Sequence, residues 1–214
     1  MDGTLLDSMQ IYTTIEIDYL KSIGVTPQPD LNDVLRPLST LEVAEYFRSE
    51  YKLCKSIEQI VAGRNAMLED FYYRKAPIKE GALQILKLLH SCGVRLCAAT
   101  ATDRHLAEPA MRRWGMLEYI ERIFTCSEED TSKTNPSIFL RAAAYLGTDI
   151  RETLVVEDAL YAVESAKRGG FPVLAVYDLS SSDLIDEIRE TADYYFDSMS
   201  GLYEFLLKNI RDTF

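Results

Sequence analysis

Four groups of residues in this chain have the types and spacing to do chemistry together. The first is Asp2-Gly3-Thr4-Leu5-Leu6-Asp7-Ser8, which sets two carboxylates and two hydroxyls around a glycine. The second is Thr100, with Thr102 and Asp103 close behind. The third is Lys133, three residues before Pro136, and the fourth is the adjacent pair Glu157-Asp158. Paired carboxylates offer hard oxygen ligands to Mg²⁺, which takes one or two carboxylates together with phosphate oxygens and water. A lysine and a hydroxyl can hold the other oxygens of a transferring phosphoryl group. Each group alone has a plainer reading. Asp7-Ser8 is a helix N-cap, Glu157-Asp158 is a charge pair favoured at a helix N-terminus, and a lone lysine is solvated surface. Their order and their places on the fold decide between the two.

The elements that must position them follow from periodicity and punctuation. Residues 9–76 read as helical. Asp7 or Ser8 caps a helix that runs to Lys21 on Ile11, Ile15, Tyr19 and Leu20 and stops at Gly24. Thr26-Pro27-Gln28-Pro29 is a turn. A second helix begins at Ser39-Thr40 with Leu41, Ala44 and Phe47 on one side, and a third covers 56–74 before Pro77. Beyond Pro77 helices and short apolar strands alternate. Helices are expected at 80–92, from Asp103 with a bend at Pro109, at 136–146, from Ala159 to Gly169-Gly170, and at the end of the chain. Strands are expected at 94–99, 122–125, 153–156, 172–176 and 194–196, the last of them buried. Such alternation means right-handed βαβ units around a parallel sheet, an α/β fold. Thr100, Lys133 and Glu157-Asp158 all follow strands, and ligands in these sheets bind beyond the carboxyl ends of the strands.

Composition narrows the function classes. The 214 residues carry a net charge of −11, with an isoelectric point near 4.7. That balance disfavours nucleic acid and anionic membranes, which select cationic surfaces. The N-terminus has neither the basic nor the apolar region of a signal peptide, and no apolar run approaches the ~18 residues of a spanning helix. Cys54, Cys92, Cys97 and Cys126 are irregularly spaced and read as reduced thiols, so the expected location is cytoplasmic. His90 and His105 lack partners for a triad or a zinc site. The sequence has no nucleophile-elbow, P-loop or dinucleotide fingerprint.

The four groups, in order, resemble the motifs of the haloacid dehalogenase-like phosphohydrolases. Asp2 to Ser8 is similar to the end of Asp-x-Asp-Gly-Thr-Leu-x-Asp-Ser, and Thr100 to the hydroxyl residue that ends a strand. Lys133-Thr134-Asn135-Pro136-Ser137-Ile138-Phe139 resembles Lys-Pro-x-Pro-x-Ile-Phe. Glu157-Asp158, followed by Ala166 and Gly169-Gly170, resembles Glu-Asp-Ser with Ala-x-x-Ala-Gly. The resemblance implies a Rossmann-like parallel core, residues 1–8 and 77–214, with a small helical cap inserted at 9–76.

It also implies roles. Asp2 would be the general acid and base, and its carbonyl a Mg²⁺ ligand beside Asp158 and Glu157. Thr100, Ala101 and Lys133 would hold the phosphoryl group, and Arg36 and Ser39-Thr40 in the first cap loop would reach the substrate. The implied activity is a Mg²⁺-dependent phosphatase for a small phosphorylated metabolite, working as a monomer. A β-phosphoglucomutase-like phosphotransferase is the near alternative, and Asp2 speaks against a dehalogenase.

The departures are Thr134, Ser137 and Ala159 where proline, aspartate and serine are usual. The larger one is the attacking aspartate, which the pattern sets two residues before Asp2, on an apolar strand in mid-sheet. Neither is among these residues, so the expectation is a core lacking its first strand, cut short ahead of the nucleophile and inactive alone. The other possibility is a non-catalytic protein that binds phosphate and Mg²⁺.

Overall fold

The computed structural model describes residues 1–35 and 38–209, divided into two compact units, Gln10–Lys75 and Met1–Met9 with Ala76–Phe214. Arg36 lies outside the described residues.

The smaller unit is helical. It holds α1 (Ile11–Ser22), α2 (Leu31–Leu35), α3 (Thr40–Glu50) and α4 (Ile57–Asp70), which widens into a π turn over Phe71–Lys75. Tyr19, Leu20, Leu31, Val43, Ala44, Phe47 and Ile60 form its core, with the Tyr19 ring stacked on Phe47. The starts of α3 and α4 are fixed by matching capping boxes. Ser39 Oγ accepts from Glu42 N–H while Glu42 Oε2 accepts from Ser39 N–H, and Ser56 and Gln59 repeat the exchange. Helix α1 differs from its expected start. Its N-cap is Gln10, with no side-chain bond, because Ser8 is fully buried and donates elsewhere. Helix α2 was not expected, since five residues are too few to show a period.

The larger unit alternates as expected: α5 (Ala82–Ser91), β1 (Cys97–Thr100), α6 (Arg104–Arg113), β2 (Arg122–Thr125), α7 (Ser137–Leu146), β3 (Val155–Glu157), α8 (Leu160–Arg168), β4 (Val173–Val176), α9 (Ile185–Thr191), β5 (Tyr194–Phe196) and α10 (Met199–Asn209). All strand pairs are parallel, but they form two sheets, β1–β2 and β3–β4–β5. One apolar core runs under both sheets. It combines Phe124, Cys97 and Ala99 of the first with Val155, Val173 and Ala175 of the second, against Ile138, Phe139 and Ala143 of α7 and Ala162, Val163 and Ala166 of α8. On the opposite face Leu174 and Val176 pack with Ala82 and Ile85 of α5 and Met199, Leu202 and Leu206 of α10.

Boundaries shift for local reasons. Strand β1 starts at Cys97 because Val94 N–H closes the end of α5 onto the Leu89 carbonyl. Strand β3 starts late because Thr153 is bound back to Asp149 and Ile150. Strand β5 is half exposed, with Tyr194 on the surface, because it is an outer strand paired only with β4. Pro109 sits inside α6. The four cysteines are free, and Cys126 alone of them is buried. No helix among the described residues is long and apolar enough to cross a membrane.

Lys79 ties the loop after β4 to the segment before α5. Its ammonium donates to the Tyr177 carbonyl at 2.6 Å and pairs with Asp178 at 2.8 Å, both side chains being largely buried. Burial pushes the Asp178 carboxyl up, but the bonds from Lys79 and Ser180 outweigh it and hold the group below its ordinary value. A carboxyl held low in the folded state stabilises above its unfolded pKa of about 4, and that contribution is lost as pH falls through the folded value.

Two outcomes are expected. Asp178→Ala should cost about 3 kcal/mol in urea unfolding at pH 7, because it strands a buried ammonium, and the difference from wild type should shrink below about pH 4. Ser39→Ala and Ser56→Ala should each remove about 1 kcal/mol, read as a lower melting temperature of the helical unit.

Candidate active site

The carboxyl ends of β1 and β3 are joined by the N-terminal segment. Residues 1–6 fold into a tight loop in which the Met1 carbonyl accepts from Leu5 and Leu6 N–H and the Leu6 carbonyl accepts from Gly3 N–H. This loop aims Asp2 one way and Thr4 the other. Asp2 Oδ2 accepts from the hydroxyl of Thr102, two residues past β1, at 2.7 Å, and its Oδ1 accepts from the Ser8 hydroxyl at 2.5 Å. Thr4 donates to Asp158 Oδ1, one residue past β3, at 2.6 Å. Gly3 makes the approach possible. Its φ is +69°, and a Cβ there would stand 2.1 Å from Asp158 Oδ2. A side chain is therefore excluded both by backbone conformation and by the carboxylate above it.

Thr100, at the end of β1, is buried, and its hydroxyl accepts from Thr102 N–H at 3.1 Å. Lys133 is also buried, which overturns the solvated reading of a lone lysine. It forms an ion pair with Glu157. Burial alone would weaken the Lys133 charge, but the charge and hydrogen bond of Glu157 prevail and hold the ammonium above its usual range. Asp158 is pushed up to about 6, first by burial and then by the charge of Glu157. Ala101 is exposed at the same edge.

Of the residues singled out by sequence, Asp2, Thr100, Lys133, Glu157 and Asp158 come together. The hydroxyls of Thr4, Ser8 and Thr102 join them, although sequence gave these no partner. Thr4 and Ser8 stood within the first motif, but a hydroxyl that meets a carboxylate 154 residues away leaves no local pattern. His90 and His105 are exposed and take no part.

Two consecutive buried carboxylates lie beside Lys133, and their oxygens are hard donors. No group of three or more His, Cys, Asp and Glu side chains that could hold a metal occurs among the described residues. The two carboxylates are of the kind that fits an oxygen-preferring ion such as Mg²⁺, which needs one or two carboxylates when phosphate and water complete its shell.

The model of the haloacid dehalogenase-like hydrolase family matches residues 1–176. Among curated proteins, a mitochondrial (DL)-glycerol-3-phosphatase of Arabidopsis thaliana is 28% identical over 83% of this chain, which spans 62% of that protein's length. Hexitol phosphatase B of Escherichia coli is 22% identical over 78% of this chain and 76% of its own. Among solved structures, a Thermotoga maritima protein provisionally named a β-phosphoglucomutase superposes with a TM-score of 0.84 at 20% identity, covering 97% of this chain and 96% of that one. A hydrolase of Deinococcus radiodurans with bound phosphate and sodium superposes with a TM-score of 0.73 at 17% identity, covering 98% and 94%. These structural likenesses are likenesses of fold.

Gly3→Ala should fold poorly. The left-handed backbone alone costs about 1–2 kcal/mol for a residue with a Cβ, and Asp158 cannot retreat without giving up Thr4. A melting temperature within 2 °C of wild type, which at this size is a change of roughly 1 kcal/mol or less, would count against this close packing.

Proposed function

The chain belongs to the haloacid dehalogenase-like hydrolases, and from that premise we propose that it is the body of a Mg²⁺-dependent phosphatase for a small phosphorylated polyol or sugar. The observation that carries this reading is the clustering of Asp2, Thr100, Lys133 and Glu157-Asp158 at the carboxyl ends of β1 and β3. The names of the Arabidopsis and Escherichia relatives support the substrate class.

In this reading a carboxylate oxygen attacks phosphorus and the ester P–O bond breaks. Asp2, entering this step in its protonated form, gives its proton to the leaving alcohol oxygen. Asp2 then takes a proton from the water that cleaves the acyl phosphate, which returns the carboxylate and releases phosphate. Ser8 and Thr102, one on each oxygen, fix the plane of the Asp2 carboxylate. Acid–base help of this kind is worth ~10²–10⁴-fold. Lys133, steadied by Glu157, and Thr100 hold the phosphoryl oxygens, with Ala101 beside them. Asp158, Glu157 and the Asp2 carbonyl would hold Mg²⁺, which when bound neutralises charge on the phosphoryl group.

The attacking carboxylate needs another source. Asp2 is committed to two hydroxyls, Glu157 to Lys133 and Asp158 to Thr4. We place it on an aspartate directly ahead of Met1, at the end of a strand lying between β1 and β3. The helical unit would serve as the cap, and Arg36 and Ser39-Thr40 are its candidate substrate contacts by sequence. The protein works as a cytoplasmic monomer without nucleic acid or membrane partners.

The test is a chain extended at Met1 by an apolar strand ending in aspartate. With Mg²⁺ it should release phosphate from glycerol 3-phosphate or hexitol phosphates, chelation should abolish this, and Asp2→Asn should lower kcat by about 10²–10⁴. The 214 residues alone should be inert. Turnover by the unextended chain, or none by the extended one across a panel of such esters, overturns the reading. Conversion of a hexose 1-phosphate to the 6-phosphate would replace hydrolysis with phosphotransfer.

A further inference from the structure

Lys133 is buried from the middle of a loop. The stretch 126–136 between β2 and α7 is irregular, yet it must carry a charged side chain out of water and hold it against Glu157. A lysine left to itself keeps its rotamer entropy and its hydration outside, so the loop needs restraints. The family pattern sets proline and aspartate where this chain has Thr134 and Ser137. Proline stiffens a loop by fixing φ, and its replacement frees the residue directly after Lys133.

Hydroxyl bonds stand in that place. Thr131 Oγ1 and Ser137 Oγ share a hydrogen bond of 2.6 Å, partly buried, which ties the chain two residues before Lys133 to the first residue of α7. Ser132 and Thr134, the immediate neighbours of Lys133, share a second of 2.7 Å that is exposed. Inside the span, Asn135 N–H donates to the Ser132 carbonyl at 3.0 Å, and Ser137 N–H to Asn135 Oδ1 at 2.9 Å. Arg168, the last residue of α8, adds an exposed bond to the Thr134 carbonyl at 2.7 Å. Upstream, Thr131 N–H donates to the Cys126 carbonyl at 3.0 Å. Asp130, directly before Thr131, has a φ of +46°. That left-handed backbone is strained for a residue with a Cβ, and such strain persists where the surroundings over-determine it. Exposed bonds compete with water and hold little, whereas a partly buried bond holds more. The Thr131–Ser137 bond is the one that spans Lys133 from both sides and is shielded.

We propose that Thr131 and Ser137 are positioning residues for Lys133: their shared hydrogen bond keeps the loop closed, so that the ammonium stays buried against Glu157. A side-chain bond thereby replaces the backbone restraint that proline would supply. The proposal rests on the reading above only for what Lys133 holds, a phosphoryl group, and not for what holds Lys133.

The experiment measures how fast acetic anhydride acetylates each lysine of the 214-residue protein, read peptide by peptide in a mass spectrometer. Lys79, also largely buried and ion-paired but outside this loop, is the internal control. Thr131→Val and Ser137→Ala should each speed reaction at Lys133 about fivefold, the effect of one ordinary hydrogen bond on a local opening, and leave Lys79 unchanged. Thr131→Ser keeps the hydroxyl and should match wild type. The double variant should react no faster than either single one, because both lose the same bond.

An unchanged Lys133 rate in either single variant overturns the proposal, and so does Thr131→Ser behaving like Thr131→Val. Rates that rise together at Lys133 and Lys79 overturn it in favour of a general loosening of the fold. A double variant at the product of the two single effects overturns the shared bond. Inorganic phosphate with Mg²⁺ is added to parallel wild-type samples. Slower acetylation at Lys133 alone upholds its phosphoryl role together with the bridge. No slowing, with the variant effects intact, upholds the bridge and fails that role.

Discussion

Glu157 and Asp158 are consecutive carboxylates at the end of β3, and both are more than nine-tenths buried. Buried charges persist only where partners answer them. Lys133 must therefore come in from the loop after β2, and it arrives buried, though a lysine left to itself would stay in water. Thr4 must donate to Asp158, and for Thr4 to do so the chain must turn at Gly3 with a backbone that a side chain would block. Once that turn is fixed, Asp2 is directed at Thr102 and Ser8. The geometry of the site is in this sense a consequence of where two negative charges were placed, and every other group is set by the need to neutralise or accommodate them.

Much of this was legible in sequence because it rests on short-range patterns. The strands at 122–125 and 194–196 fall where their apolar and aromatic runs lie, and the helices that follow each strand end at Gly147 and Gly169-Gly170 as their stop signals require. Ordered motifs identified Asp2, Thr100, Lys133 and Glu157-Asp158. What could not be read depends on contacts far apart in sequence. Ser8 before a helix carries the same local signal whether it caps that helix or donates to Asp2, and only the fold chooses the second. Thr102 and Thr4 are ordinary hydroxyl residues until carboxylates 100 and 154 positions away come within bonding distance. The burial of residues 194–196 was misjudged for the same reason, since an outer strand and an inner one have similar composition.

The two units differ in what holds them. The helical unit draws on local devices, two capping boxes and a stacked aromatic core, so its stability is distributed over many modest terms. The larger unit concentrates charge, with the Lys79–Asp178 pair after β4 and the Lys133–Glu157 pair after β3 both at the carboxyl edge. Breaking a buried pair costs far more than losing a cap. The carboxyl edge is therefore where single substitutions do the most harm, and its rigidity is what a site needs if it is to hold a small anion in one orientation.

Topology gives an independent reason for the location of the site. From β1 the chain passes to the parallel strand β2, and from β3 through β4 to β5, in two separate parallel sheets. In parallel α/β sheets ligands lie beyond the carboxyl ends of the strands. Asp2, Thr102, Thr4 and Asp158 meet there. No motif is needed to reach this conclusion. The buried charges lie at strand ends, where polar groups from several strands can converge without breaking a ladder.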